Sequence, residues 1–117
     1  MGFNPSPLSP TEWQMMSAVW ELEEADASEV SRFLGRKLGR IYPPKTAGIL
    51  LSRLAQKGYL RFTTPNPAGR GRPAHIYSPA VPREAALASQ FARFLRDYLV
   101  DEKDFRTLRS LLAHKSN

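Results

Sequence analysis

Two arginines alternate with glycines within residues 66–75, which read N-P-A-G-R-G-R-P-A-H. Strand-like segments lie on both sides of this decapeptide, so it is predicted to be the loop of a β-hairpin. The glycines next to Arg70 and Arg72 remove side-chain bulk and allow another molecule to approach the backbone closely. Guanidinium groups presented in this way suit phosphates and the narrow minor groove of DNA. These residues therefore indicate recognition of a polyanion.

Charge is segregated along the chain. All eleven carboxylates lie outside Val30–Arg83, a window of 54 residues that holds eleven of the seventeen lysines and arginines. The window carries a net charge of +11 and the remainder −5. A solvated surface ordinarily mixes both signs. One side of the protein is therefore predicted to face a polyanion, with nucleic acid as the first candidate and an anionic membrane as the second.

The composition argues against several other classes of function. The 117 residues, 42% of them hydrophobic, suffice for one small domain with an attached element. Cysteine is absent, which excludes disulfides, thiol catalysis and cysteine zinc sites and fits a cytoplasmic protein. No apolar run approaches the roughly 18 to 20 residues of a membrane span. His75 and His114 have no triad or metal-ligand spacing, so no enzymatic activity, cofactor or metal is expected.

Two helices are predicted in the first forty residues. The stretch Ser9-Pro10-Thr11-Glu12 has the pattern of a capped helix start, and it precedes a core stripe formed by Trp13, Met16, Val19 and Trp20. Asp26 or Ser28 is expected to cap the second helix. The predicted buried stripe of that helix consists of Val30, Phe33, Leu34 and Leu38.

The third predicted helix begins at Pro44 and ends at Gly58. At 100° per residue, its inner side consists of Ala47, Leu50, Leu51 and Leu54. Its outer side carries Lys45, Ile49, Ser52 and Gln56, with Thr46, Gly48 and Arg53 at the margins. A cation, hydrogen-bonding groups, an exposed isoleucine and a glycine together favour contact with another molecule. The alternative is an ordinary solvated face.

A hairpin and two more helices complete the predicted chain. The strands are expected over Tyr59–Thr64 and Ala74–Ser78. A long amphipathic helix from Arg83 has an apolar stripe of Leu87, Phe91, Phe94, Leu95 and Tyr98. Asp101 is expected to cap a last, short helix whose inside residues are Phe105, Leu108, Leu111 and Leu112. The remaining residues, roughly 35, are too few to form a separate core. Their apolar stripes must therefore pack on the domain or on a second copy, and dimerisation is preferred.

The predicted fold is mainly α with a small β-hairpin. Three helices followed by a two-stranded hairpin are the order of a winged helix-turn-helix domain, here over residues 8–80. The third helix of such a domain is the one offered to the DNA major groove. Residues 82–115 would form C-terminal dimerisation helices.

Three segments resemble the penicillinase-repressor (BlaI/MecI/CopY-type) family of winged-helix transcriptional regulators. They are L-S-P-T-E-W-Q-M-M-S-A-V-W at 8–20, P-K-T-A-G-I-L-L-S-R-L-A-Q-K-G at 44–58 and H-I-Y-S-P at 75–79. The resemblance implies a homodimeric repressor that binds an operator dyad. It places Lys45 and Thr46 at the start of the DNA-reading helix and makes Arg53 the arginine of the family's L-x-R-L pattern. Gly48 and Ile49 depart from the polar or basic residues often found there. The copper-sensing relatives use a cysteine cluster that this chain lacks.

The predicted function is that of a sequence-specific repressor acting as a homodimer on palindromic double-stranded DNA. The third helix would read the major groove through Lys45, Thr46, Ile49, Ser52, Arg53 and Gln56. The wing would place Arg70 and Arg72 on the adjacent minor groove or backbone. Candidates for phosphate contact are Arg32, Arg36, Lys37, Arg40, Arg53, Lys57 and Arg61.

Two alternatives remain open at this point. The core G-R-G-R-P resembles an AT-hook, which would make the chain a nonspecific architectural binder that prefers A·T-rich DNA. A winged-helix protein–protein interaction module with incidental basicity is the other alternative. Only the first of these alternatives predicts tight binding to A·T-rich competitor DNA, and the second predicts no salt-sensitive DNA affinity.

Overall fold

A computed structural model describes residues 7–65, 75–98 and 101–115 of the chain. It contains five helices and one two-stranded antiparallel sheet in these ranges. In chain order the elements are α1 (Pro10–Leu22), α2 (Ala27–Leu38), α3 (Pro44–Gln56), β1 (Leu60–Thr63), β2 (Ile76–Pro79), α4 (Arg83–Asp97) and α5 (Glu102–Lys115). The predicted fold class, mainly helical with a hairpin, is confirmed. No helix in the described part of the chain is long and apolar enough to cross a membrane.

Reciprocal capping boxes begin α1 and α2. The Ser9 hydroxyl accepts the Glu12 amide at 3.1 Å, and the Glu12 carboxylate accepts the Ser9 amide at 2.9 Å. Asp26 and Glu29 repeat the arrangement at 2.8 and 2.9 Å, so Asp26 rather than Ser28 caps α2. Each box satisfies two amides that a helix start otherwise leaves without partners.

Glycine and proline set the bounds of α2 and α3. Gly39 has a φ of 68°, the left-handed conformation that commonly ends a helix, and α2 ends one residue earlier. Pro44 occupies the first turn of α3, where its missing amide costs nothing. Gly58 has a φ of 88° and turns the chain from α3 into β1.

A third segment pairs with the hairpin. β1 and β2 are antiparallel, with Phe62 opposite Tyr77. Ala25, just before α2, pairs with Tyr77 on the other edge of β2 through two backbone hydrogen bonds of 2.9 Å. This bridge, which the sequence did not predict, ties the start of α2 to the hairpin.

The core lies between the first three helices and the base of the hairpin. Its largest fully buried side chains are Tyr59, Met15, Met16, Leu34, Leu51, Leu54, Val19 and Val30. Trp13 and Trp20, expected to be core residues, are only partly buried and pack against the core. Their two rings contact each other edge to face, with centroids 5.2 Å apart. The prediction of Leu38 as a buried residue is wrong, because 49% of it is exposed.

The C-terminal helices project from this core. Ala86 is the one buried residue of α4. The prediction of a short last helix is wrong, because α5 has 14 residues. Phe105, Leu111 and Leu112, expected inside, are 40–62% exposed because no core of the same chain covers them. The radius of gyration, 16.9 Å, exceeds the value of about 13 Å expected for a compact chain of this length.

An ion pair connects α1 to the end of α3. The Lys57 ammonium donates to both Glu12 carboxylate oxygens at 3.0 and 2.8 Å. Burial raises the pKa of Glu12, but hydrogen bonds from Lys57 and Ser9 outweigh that effect, and the pKa lies below its ordinary value. The carboxylate is 10% exposed and the lysine side chain 28%, so solvent screens the pair only in part.

Replacing Glu12 by glutamine is expected to lower the free energy of unfolding at pH 7 by about 1.5–3 kcal/mol, the range for a hydrogen bond to a charged group. Because folding lowers the pKa of Glu12, its contribution is complete above the unfolded value of 4.5 and disappears as the pH falls through the folded value. Urea unfolding at pH 7 and at pH 3 measures this. The control is Glu24→Gln at an exposed position. If Glu12→Gln lowered the free energy of unfolding by the same amount at both pH values, the stabilising role of the Glu12 carboxylate would be contradicted.

Candidate nucleic-acid interface

The outer side of α3 is an exposed mixed surface, as its periodicity predicts. Lys45, Thr46, Ile49, Ser52, Arg53 and Gln56 are all exposed, whereas Ala47, Leu51 and Leu54 are buried. Ile49 is half exposed, at 50%, although it is apolar. Leu50, predicted to be inside, is only partly buried. The buried residues fix the rotation of the helix, so the outer side points away from the core along its whole length.

A groove runs along this outer side. It has a volume of about 410 Å³ and lies between α3, the first turn of α2 and the inner face of β2. Its lining comprises Asp26, Ala27, Ser28, Lys45, Gly48, Ile49, Ser52, His75 and Tyr77. The groove therefore joins three segments that lie far apart in sequence, and it continues from the helix onto the hairpin.

Tyr77 holds the hairpin against α3. It is 3% exposed, and a hydrogen bond connects its side chain to that of Ser52. Burial raises the pKa of Tyr77, and the bond to Ser52 opposes this only in part. The phenol is therefore neutral at physiological pH. Ser52 is exposed on the outer side of α3 and lines the groove beside Tyr77.

Aromatic side chains extend the inner face of the hairpin beyond the core. Phe62 is 51% exposed, and its ring centroid lies 4.6 Å from that of His75. The Thr64 hydroxyl lies 3.0 Å from Nδ1 of His75. Strand alternation puts these residues on the same side as Tyr77. The predicted wing residues Arg70 and Arg72 lie outside the described residues, on the segment that joins the two strands.

Gly48 has no packing reason to be glycine. A Cβ built there would meet only the Ala27 Cβ, at 3.7 Å, an ordinary van der Waals contact. Glycine inside a helix costs roughly 0.5–1 kcal/mol relative to alanine. Since Gly48 lines the groove, its small size keeps the groove wall low where another molecule would approach.

Gly48→Ala is expected to raise the free energy of unfolding by about 0.5–1 kcal/mol while weakening DNA binding several-fold, because the added methyl group fills part of the groove. Gly35→Ala is the matched control, since a Cβ there would also have room, at 3.9 Å from the Arg40 carbonyl. Thermal unfolding and a fluorescence-anisotropy titration with DNA measure the two effects. Equal DNA affinity for both variants would remove Gly48 from the interface.

The six predicted phosphate contacts outside α3 are not brought together on one surface. Arg32, Arg36 and Arg40 are exposed on α2 and the turn that follows it. Lys37 lines a separate hollow against α1 that also contains Arg83 and Glu21. Arg61 donates to the Pro79 carbonyl at 3.1 Å on the outer face of the hairpin, and Lys57 is paired with Glu12.

Carboxylates from outside the acid-free window lie close to several of its cations. Asp26 lines the groove itself, where its carboxylate accepts the Glu29 amide. Glu23 and Glu24 line the same hollow as Arg61. The positive surface is therefore narrower than the sequence suggests, and Lys45 is the lysine that lines the groove.

The described part of the chain has no constellation that points to catalysis. Within residues 7–65, 75–98 and 101–115, no group of three or more histidine, aspartate or glutamate residues could hold a metal ion. Every buried side-chain nitrogen and oxygen that the structure describes has a hydrogen-bond partner. The buried carboxylate, Glu12, is occupied by capping and by Lys57.

Comparison with solved structures shows which proteins share this fold. The DNA-binding domain of the repressor BlaI is 26% identical, with a TM-score of 0.51 over 73% of this chain and 93% of that one. The monomeric form of Bacillus licheniformis BlaI in complex with the blaP half-operator gives the same values. H. salinarum RosR is 14% identical with a TM-score of 0.54, covering 93% of this chain and 94% of that one, and is similar in fold alone. No curated protein matches the chain.

The family model of the penicillinase repressor matches residues 8–114, nearly the whole chain. This match agrees with the winged helix-turn-helix architecture, and it confirms the resemblance that the three sequence segments indicated. Its members are DNA-binding repressors, which also confirms the prediction that the chain is not an enzyme. The chain therefore belongs to the penicillinase repressor family and is a DNA-binding transcriptional regulator.

Proposed function

We propose that this regulator is a homodimeric repressor that binds a palindromic operator, with one α3 in each of two successive major grooves. The observation that carries the proposal is the groove between α3 and β2, whose helix side is free of carboxylates and presents the exposed Lys45, Ile49 and Ser52. A helix presented in this way fits the major groove, which is wide enough to admit it. Occupancy of the operator excludes RNA polymerase and needs no chemistry from the protein.

Base recognition is assigned to the outer side of α3. Lys45 is suited to guanine O6 and N7, and Ile49 to the methyl group of thymine. The remaining base-edge residues in this proposal are Thr46, Ser52 and Gln56. Arg53, at the margin of the same side, is assigned to a phosphate together with the exposed Arg32, Arg36 and Arg40. Such contacts position the protein on the duplex without reading its sequence.

The hairpin is assigned to the neighbouring backbone or minor groove. His75 and Phe62 are exposed on the face that continues the α3 groove, so DNA that lies along α3 reaches the hairpin too. Arg70 and Arg72 would follow on the loop between the strands and supply guanidinium groups to the minor groove. The half-operator complex of BlaI supports placing one winged domain, residues 8–80, on each half-site.

Dimerisation is assigned to residues 82–115. The exposed apolar residues of α4 and α5 include Leu87, Phe91, Phe94, Tyr98, Phe105, Leu111 and Leu112, each 37–70% exposed. Together with Leu95 and Leu108 they form more apolar surface than isolated exposed residues account for. A second copy of the chain buries this surface and gives the two-fold symmetry that a palindromic site requires.

The proposal is tested with wild-type protein and duplexes selected from random DNA. We expect recovery of a dyad with half-sites about one or two helical turns apart, in a complex whose mass corresponds to two chains. Affinity should fall with salt, because log affinity changes by roughly −0.9 per neutralised phosphate for each tenfold rise in salt. Recovery of A·T-rich DNA without a dyad would instead indicate a nonspecific architectural binder. An affinity that does not depend on salt would contradict binding through phosphate contacts.

A further inference from the structure

Helix α4 has two distinct faces. Arg83, Ala86, Gln90 and Arg93 follow one another at spacings of three and four residues and so lie on one face. The stripe Leu87, Phe91, Phe94 and Tyr98 lies about 100° further around the helix. A helix that docks on its own domain usually buries its apolar stripe. Here Ala86 is buried and Gln90 contacts the winged domain, whereas the apolar stripe is 37–70% exposed, although Leu87 also lines a hollow with Leu8 and Trp13.

Gln90 joins α4 to the segment that precedes α1. Its side-chain oxygen accepts the Leu8 amide at 3.2 Å, and its side-chain nitrogen donates to the Leu8 carbonyl at 3.1 Å. Leu8 is itself 6% exposed and part of the core. A side-chain amide that pairs with both backbone groups of one residue fixes direction as well as distance, because the two bonds must be satisfied together.

Arg93 lies about one turn beyond Gln90 on the same face of α4, where it is partly buried. Burial raises the pKa of Tyr59, while the nearby positive charge of Arg93 lowers it and the negative charge of Glu12 raises it. Tyr59 is fully buried just after α3, where it follows Lys57, the partner of Glu12. Charged groups from α1 and α4 therefore converge on the residues that terminate the DNA-reading helix.

A third connection lies at the start of α4. The Trp20 indole nitrogen donates to the Val81 carbonyl at 2.9 Å, and the Arg83 guanidinium lies 5.2 Å from the centroid of the Trp20 ring. Val81 is buried, so this connection is anchored in the core. The start of α4 is thereby held at one point, and Gln90 makes a second contact about two helical turns further along.

The direction of α4 has a large effect at its far end. Fifteen residues span about 22 Å at 1.5 Å per residue, so a tilt of about 15° displaces the end by about 6 Å. That distance is close to two base pairs, since one base pair occupies about 3.4 Å. With Ala86 as the one buried residue of α4, apolar packing does little to resist such a tilt.

We propose that Gln90 and Arg93 are positioning residues that set the direction of α4 relative to α3, and thereby select the spacing between operator half-sites. The inference rests on the proposed function, because it requires a dimer held by the stripe on α4. It goes beyond that function because it names the contacts that would make the dimer prefer one spacing between half-sites. The base sequence of each half-site is read by α3 and is independent of these residues.

The test uses the full chain and duplexes derived from the dyad that the wild type selects. Two half-sites are separated by the selected spacing or by one to four base pairs more or fewer, and one duplex carries a single half-site. We expect the wild type to bind one spacing at least about tenfold more tightly than its neighbours. In Gln90→Ala and in Arg93→Ala, the ratio of affinities for the preferred and the neighbouring spacings should fall below about threefold, or another spacing should be preferred. The affinity for the single half-site should stay within about twofold of the wild-type value. A tenfold ratio of affinities corresponds to about 1.4 kcal/mol.

Matched variants separate positioning from stability and charge. Arg96→Ala removes the same charge from a neighbouring, exposed position of α4 and should keep the wild-type profile. Arg93→Lys retains the charge near Tyr59 and should keep most of the wild-type preference for one spacing. The inference is overturned if both Gln90→Ala and Arg93→Ala keep the wild-type dependence of affinity on spacing. It is also overturned if either variant loses affinity equally for the half-site duplex and the dyad. A wild type that selects no dyad overturns the proposed function itself.

Discussion

Ile49→Glu lowers the affinity for operator DNA by about 100-fold or more, because like charges placed against each other in an interface cost several kcal/mol and each 1.4 kcal/mol is a factor of ten. The carboxylate would stand on the outer side of α3, the surface proposed to contact phosphates and base edges. The fold should be unaffected, since Ile49 is 50% exposed and outside the core. Gel-shift titration and circular dichroism measure the two effects.

Ser110→Glu is the control for this charge change. It adds the same carboxylate to α5 at an exposed position that lies away from the apolar stripe of that helix. DNA affinity should change by less than about threefold, because exposed charges further apart than the Debye length of about 8 Å are largely screened. If Ile49→Glu bound the operator as tightly as Ser110→Glu, α3 would not be the DNA-reading element.

Phe94→Glu converts the regulator into a monomer at micromolar concentrations. Phe94 is 49% exposed in the single chain, and its ring centroid lies 4.7 Å from that of Tyr98 and 6.5 Å from that of Phe91. It is therefore at the centre of the stripe assigned to the partner, where truncation of an aromatic anchor typically costs 2 kcal/mol or more. Burying a carboxylate there costs more again.

The expected outcome on DNA separates dimerisation from recognition. The Phe94→Glu variant should lose about 100-fold in affinity for the dyad through lost avidity yet bind a single half-site like the wild type. Ala92→Glu, exposed on the opposite side of α4, is the matched control and should remain dimeric. Analytical ultracentrifugation checks both. A dimeric Phe94→Glu protein would show that another surface holds the two copies together.

Local sequence signals accounted for most of the fold. Ser9 with Glu12 and Asp26 with Glu29 are separated by three residues, so their capping boxes form within one helical turn and depend on little else. The outer side of α3 followed from its period in the same way. The bridge between Ala25 and Tyr77 left no comparable pattern, because a single backbone pair needs no particular side chain.

The charge pattern predicted a binding surface but overestimated its extent. Counting carboxylates along the sequence gave an acid-free window of 54 residues, and most of its cations were predicted to contact phosphate. Lys57 is instead 45 positions from its partner Glu12, and Arg61 shares a hollow with Glu23 and Glu24. Pairs at such separations are created by packing, which a count along the chain does not register.

The sequence by itself determined where α1 and α3 begin and which side of α3 is exposed, since capping and helical period act over three to four residues. Only the tertiary structure decided that Gly48, Ser52 and Tyr77 share one groove, and that α4 faces its own domain with Gln90 rather than with its apolar stripe. The physical reason is that contacts between distant segments depend on how the helices pack, and the same amphipathic pattern is compatible with packing on the domain or on a second copy.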